Sequence, residues 1–210
     1  FAIVIVDDSG DRTVLWNRHP GLAIRAAQVP VAAVTSGRLL IVDCHETAGA
    51  AAAATAARRA GVPTIVDVEK VRPGIEALLS EIDAIIAAQD FPAAHTGYAD
   101  PGRAIAALAS QYRAPLVSVT LGAEGSLTWC GGREFRTAGF AVNCVDTTGA
   151  GDAFRGGFAA GCLRLDGGRV EDVLEYANAV AALNCRALGA RGGMPTADEV
   201  DALIVARSGA

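Results

Sequence analysis

Methionine occurs once in the 210 residues, at Met194, and histidine three times, at His19, His45 and His95. Scattered imidazoles without ligand spacing, and five cysteines without a C-x-x-C pair, leave no framework for a structural zinc site. Those cysteines, Cys44, Cys130, Cys144, Cys162 and Cys185, are odd in number and read as small apolar side chains in a reducing compartment, which predicts a cytoplasmic protein. Long apolar runs are also missing. Glycines and charges interrupt every stretch before the roughly 20 residues that a membrane span needs. Basic excess is missing too: 18 Lys and Arg stand against 23 Asp and Glu, so nucleic acid is not the expected partner. Neither a signal peptide nor an initiator methionine opens the chain, which begins inside an apolar run, Phe1 to Val6; the expectation is that sequence is missing upstream.

What is present is a core-forming composition, 51% hydrophobic and 20% charged, of a length suited to one domain. Ile3 to Val6, a turn cluster at Asp7-Asp8-Ser9-Gly10-Asp11, and Thr13 to Trp16 predict a hairpin. After a looser stretch, short apolar runs alternate with helical segments. Strands are expected at Leu39–Asp43, Thr64–Val68, Asp83–Ala87 and Leu116–Thr120, and helices at Glu46–Ala60, Ile75–Leu79 and Gly102–Tyr112. A second hairpin is expected around Gly131-Gly132. Helices Ala153–Leu163, Val170–Leu188 and Ala197–Ala206 complete the chain. With no repeat and no linker, the pattern predicts a single α/β domain over residues 1–210: a doubly wound, mostly parallel sheet flanked by helices.

One stretch carries chemistry: Asp146-Thr147-Thr148-Gly149-Ala150-Gly151-Asp152-Ala153-Phe154-Arg155-Gly156-Gly157-Phe158. Small residues at Gly149, Ala150 and Gly151 let the backbone turn tightly and aim successive amides one way at the start of a helix, a nest for an anion. A carboxylate at Asp152 sits oddly beside an anion nest unless it takes a proton from a hydroxyl while the nest stabilises a transferring phosphoryl group. The other reading of Asp152 is a helix cap, with the glycines serving a turn. Gly156 and Gly157 would allow close helix packing.

The stretch closely resembles the C-terminal signature of ribokinase-like (PfkB) carbohydrate kinases. That resemblance implies an ATP-dependent sugar kinase with Asp152 as catalytic base and the amides of Gly149, Ala150 and Gly151 as anion hole. Thr120-Leu121-Gly122-Ala123-Glu124-Gly125 is similar to the family's Thr-x-Gly-x-x-Gly beside the nucleotide, so Thr120, Gly122 and Gly125 are implied to line the ATP site. Asn178, within Tyr176 to Ala182, is implied to lie near the adenine; read on its own it is a packing residue. Some members bind a monovalent cation such as K+ between the tail loop, here Gly189 to Pro195, and the aspartate opening the signature, which implicates Asp146 and Thr148. The nucleotide-binding part is placed at about residues 115–210, and Mg2+ is implied with ATP.

The sequence departs from the family where many members carry Asn-x-x-Glu; here the region reads Ala87-Ala88-Gln89-Asp90-Phe91. The ketohexokinase-like branch departs at the same point, and Asp67 to Pro73 resembles that branch. Asp67, Glu69 and Asp90 are the candidates for magnesium handling, against the reading of solvated surface charges, which is the one expected. The resemblance covers the C-terminal two-thirds of a typical member, so most sugar contacts and most of the β-sheet lid are expected upstream of Phe1. A homodimer is expected of a complete protein. Alternatives are a nucleoside kinase and a non-catalytic nucleotide- or sugar-binding relative. A dinucleotide oxidoreductase would need G-x-G-x-x-G after its first strand, which is missing.

Overall fold

In the computed structural model, which describes residues 1–7, 12–165 and 168–209, the alternating pattern becomes a mixed sheet with helices on both faces. Strands β1 (Ala2–Val6) and β2 (Arg12–Trp16) pair antiparallel as a separate two-stranded sheet. The turn expected between them falls on residues 8–11, outside the described residues. The looser stretch that follows holds two single turns of 3-10 helix, at Pro20–Leu22 and Ala26–Gln28, and a short helix α1 (Val31–Ser36).

The main sheet begins at β3 (Leu40–Asp43) and continues with β4 (Thr64–Val68), β5 (Ala84–Ala87) and β6 (Leu116–Thr120), all parallel. Strands β7 (Ser126–Cys130) and β8 (Arg133–Thr137) extend it antiparallel through the expected hairpin, whose Gly131 and Gly132 adopt φ of 60° and 80°. Such left-handed pairs match the twist of a two-residue hairpin. Among the described residues the six strands lie in chain order, so each crossover advances the same way. Their helices α2 (Thr47–Arg59), α3 (Ile75–Leu79) and α5 (Pro101–Tyr112) therefore share one face, with α4 (Phe91–Thr96) preceding α5.

The opposite face is covered by the C-terminal helices α6 (Ala150–Arg164) and α7 (Val170–Asn184), with α8 (Ala197–Ser208) packed on α7. Side chains along the strands divide accordingly. Val66, Val68, Ile85 and Ala87 meet Ile75, Leu78, Ile105 and Leu108 on the first face. Ile65, Ala84 and Ile86 meet Phe154, Phe158 and Leu174 on the second. That two-residue period is what a strand covered on both sides imposes. Burying Phe154 and Phe158 stabilises the α6 face by roughly 1.5–3 kcal/mol each.

Local chemistry sets the helix ends. Asp100 caps α5 by accepting from the Arg103 amide at 2.7 Å, with Pro101 in the first turn. Thr196 and Glu199 form a capping box on α8. Helix α7 ends at Asn184, four residues short of the expected Leu188. The Cys185 carbonyl instead accepts from the amides of Val145, at 2.8 Å, and Asp146, at 3.2 Å, and this ties the helix end to the signature loop. Of the two glycines expected to bring α6 close to its neighbour, Gly157 does so: a Cβ there would stand 2.9 Å from Val180 Cβ.

Candidate active site

Helix α6 starts at the carboxyl ends of the parallel strands, the edge where open α/β sheets place ligands. Its first turn separates two clefts of about 520 and 550 Å3. Gly151 lines one and Asp152 the other.

The cleft on the Gly151 side is walled mostly by small residues, among them Thr120, Gly122, Gly125, Ala150 and Ala181. Thr120 ends β6, and the turn after it closes with the Leu121 amide donating to the Gly125 carbonyl at 2.8 Å. Gly125 adopts φ 96° and ψ −120°, and a Cβ there would lie 2.1 Å from the Thr137 carbonyl oxygen. Only glycine satisfies both requirements. Asn178 lines the same cleft and is buried; its amide nitrogen donates to the Leu174 carbonyl at 3.0 Å and to Ser126 Oγ at 3.1 Å. It ties α7 to β7.

The signature loop is fixed to the tail loop. Asp146 Oδ1 accepts from the Thr148 amide and Oδ2 from the Gly189 amide, both at 2.8 Å. The fully buried Asn184 donates to the Thr148 carbonyl at 3.4 Å, while its Oδ1 has no hydrogen-bond partner. Gly149, at φ 75°, is the N-cap of α6, and a Cβ there would stand 2.8 Å from the Ala190 carbonyl oxygen. The cap is thus Gly149, and Asp152 stands in the first turn with its side chain 81% exposed. The amide of Ala150 donates inward to the Thr147 carbonyl at 3.1 Å, which leaves the amides of Gly151 and Asp152 as first-turn donors. Helix start and dipole together make that point attractive to an anion.

The cleft on the Asp152 side is charged. Its wall includes Arg18, Asp43, His45, Glu46, Asp67 and Arg155. Arg18 pairs with Glu46 at 2.9 Å. Asp67 corrects the sequence reading: it is no solvated charge but pairs with the buried Arg155 at 2.5 Å, with its own side chain 16% exposed. The reason is strand alternation, since Asp67 follows Ile65 onto the α6 face. Burial pushes its carboxyl up from an ordinary 3.8 to about 7; Arg155 opposes the rise, while Glu69, Asp152 and Asp43 add to it. Glu69 and Asp90 are exposed, as expected of solvated charges.

A sequence profile of the pfkB family of carbohydrate kinases matches residues 1–197. The chain belongs to that family. An ATP-dependent ribose-1-phosphate kinase of Halopiger xanaduensis is 32% identical over 97% of this chain and 67% of its own length. Among solved structures, a putative ribokinase from Agrobacterium tumefaciens superposes with a TM-score of 0.89 at 23% identity, over all of this chain and 69% of that one. A putative ribokinase II from Escherichia coli, in complex with ATP and Mg2+, gives 0.82 at 23% identity over 98% of this chain and 71% of that one. The chain therefore spans about two thirds of the length of each. Within this sugar kinase family, the expected doubly wound, mostly parallel sheet flanked by helices is observed, as a mixed sheet whose last two strands run antiparallel.

The sequence reading missed Arg155 and the wall around it. A cationic side chain among Ala153, Phe154, Gly157 and Phe158 on a core-facing helix was the available signal, because a buried guanidinium demands a carboxylate. Its partner lies 88 positions away and no spacing rule reaches it. The cysteines divide: Cys44 and Cys185 are buried, Cys130 and Cys162 half-buried, and Cys144 is exposed at the glycine-rich cleft; all five are thiols. Among the described residues no helix is long and apolar enough to cross a membrane.

Proposed function

We propose that this carbohydrate kinase chain transfers the γ-phosphoryl group of ATP to a hydroxymethyl group of a small sugar, with Asp152 as base. The observation that carries the reading is that adjacent residues at the start of α6, Gly151 and Asp152, line different clefts. The nucleotide would occupy the glycine-rich side, where Thr120, Gly122 and Gly125 shape the wall. The acceptor would occupy the charged side. The reacting oxygen and phosphorus then meet at the helix start, and proximity supplies much of the rate.

Asp152 accepts the proton of the acceptor hydroxyl as its oxygen attacks phosphorus, the bond to the ADP oxygen breaks, and the sugar phosphate and ADP result. Of the expected anion hole of Gly149, Ala150 and Gly151, the Ala150 amide is already spent on the Thr147 carbonyl, so the amides of Gly151 and of Asp152 itself hold the transferring group's oxygens and offset the charge that develops there. No cluster of three His, Cys, Asp or Glu side chains among the described residues could hold a metal. Magnesium fits this site as an ion carried by the nucleotide phosphates and water. Bound there, it would neutralise charge on the phosphates. A monovalent cation at the joint of Asp146, Thr148 and the tail loop is part of the proposal; the buried, unpartnered Asn184 Oδ1 beside that joint supports it.

The described wall of the acceptor cleft carries four carboxylates, Asp43, Glu46, Asp67 and Asp152, and both its guanidinium groups are ion-paired. Such a wall suits the hydroxyls of an uncharged sugar better than an added phosphate or carboxylate. The test is ADP release from Mg-ATP with ketoses, pentoses, keto-deoxy acids and nucleosides offered in turn. Release stimulated by a neutral sugar and lost in Asp152→Asn supports the reading. Nucleoside-specific release replaces the acceptor, and ATP binding without release for any acceptor overturns catalysis.

A further inference from the structure

We propose that Arg155 is a positioning residue for the base, its guanidinium shared between Asp152 and Asp67 so that Asp152 is held at the cleft yet left open to the acceptor hydroxyl. This rests on the reading of Asp152 as the base. Arg155 lies one helical turn beyond Asp152, with its side chain 8% exposed. Nη2 stands 2.5 Å from Asp67 Oδ1 and Nη1 stands 3.9 Å from Asp152 Oδ1. Burying a guanidinium is costly unless carboxylates answer it, and those two are the ones that do.

Gly151 belongs to the same device. A Cβ at Gly151 would lie 2.5 Å from Arg155 Nη1, so a glycine of the anion loop also makes room for the guanidinium. The unequal distances divide the charge. Asp67 takes the near side, and Asp152 keeps a looser hold that orients its carboxylate without occupying it.

The surroundings decide how this sharing responds to pH. Asp43 at the end of β3, Glu69 after β4 and Asp152 on α6 all face Asp67 with negative charge, Arg155 alone among its charged neighbours opposes them, and Arg18, Glu46 and His45 complete the wall. Burial places the Asp67 carboxyl near 7. Above that pH Asp67 is ionised and draws the guanidinium to itself. Below it Asp67 is neutral and Arg155 turns more of its charge to Asp152.

The test is the pH profile of kcat/KM, read as ADP release, for the parent, Arg155→Gln, Arg155→Lys and Asp67→Asn. Arg155→Gln lowers kcat/KM more below pH 7, where the guanidinium turns towards Asp152, than above it. Arg155→Lys, which keeps the charge, recovers most of that loss. Asp67→Asn removes the inflection near neutrality and leaves the KM for ATP nearly unchanged. A purely structural role gives a different pattern, in which all three variants lose the same factor at every pH, and that pattern overturns the proposal. Should Arg155→Gln fail to fold, a retained inflection in Asp67→Asn overturns it equally. Full activity in Asp152→Asn would instead sink the base itself, so the two readings fail separately.

Discussion

The two clefts on either side of the α6 start are built from different materials. One is shaped by backbone: Gly122, Gly125, Gly139 and Gly151 line it, and at Gly125 and Gly139 an added Cβ would strike main-chain atoms 2.1 and 2.4 Å away. The other is shaped by charged side chains from β3, β4 and α6 and from Arg18 and Glu46 outside them. A backbone surface suits a ligand whose phosphates and flat ring are the same in every turnover. A side-chain surface can be retuned by substitution without disturbing the fold. On the proposed function, specificity resides in the charged cleft, and each cleft should therefore break in its own way.

Asp152→Asn tests the charged side hardest. Kcat should fall about 100- to 10,000-fold, the usual contribution of a general base, while nucleotide affinity measured by calorimetry stays nearly unchanged. Equal loss of nucleotide binding would mean that the clefts are not separated by the helix start in the way their linings indicate.

Gly125→Ala tests the backbone side. The added methyl meets the Thr137 carbonyl oxygen in a conformation that only glycine adopts readily, so urea denaturation should show a loss of about 3 kcal/mol, with weakened nucleotide binding. The acidic limb of the rate profile should not move. A variant as stable as the parent would show that the turn can open away from residues 137–139 at little cost.

This contrast also explains what the sequence could tell. The backbone cleft is written locally: Gly149 to Asp152 and Thr120 to Gly125 are short contiguous runs whose glycines imply turns and whose position after a strand or before a helix implies a ligand. Most strands and helices were legible for the same reason, their hydrophobic period being a property of a few neighbouring residues. The charged cleft was not legible. Asp67 reaches Arg155 only because β4 and α6 pack on the same face, and Asp67 read as solvated because nothing within several residues betrays its partner. The early end of α7 was hidden likewise, since the groups that capture the Cys185 carbonyl, Val145 and Asp146, lie some 40 positions earlier.

The buried pair has a thermodynamic signature as well. The folded carboxyl of Asp67 is raised to about 7, so between 3.8 and about 7 the folded protein keeps a proton that the unfolded chain gives up. Its contribution to stability is full below that range and is lost as pH rises through 7. At ~1.4 kcal/mol per unit, reduced for the partial exposure of the site, the loss is on the order of 2 kcal/mol. Asp67→Asn should therefore gain on the parent as pH rises from 4 to 8, followed by thermal unfolding. Parallel curves would mean that the carboxyl is held ionised throughout.

The smallest effect is the sharpest on glycine. Gly156 and Gly157 are adjacent in α6, and composition alone gives them one role, close helix packing. The structure gives them opposite ones. A Cβ at Gly156 meets no atom within 4 Å and would stand at the charged cleft, whereas one at Gly157 meets Val180 Cβ at 2.9 Å and Ala177 Cα at 3.1 Å. Gly156→Ala should raise stability by about 0.5–1 kcal/mol through helix propensity, and Gly157→Ala should lower it as α6 and α7 are forced apart. Any kinetic effect of Gly156→Ala should appear in the KM of the acceptor and not of the nucleotide, because its methyl faces one cleft alone. A change in the KM for ATP instead would mean that the two ligands share the space on both sides of the helix start.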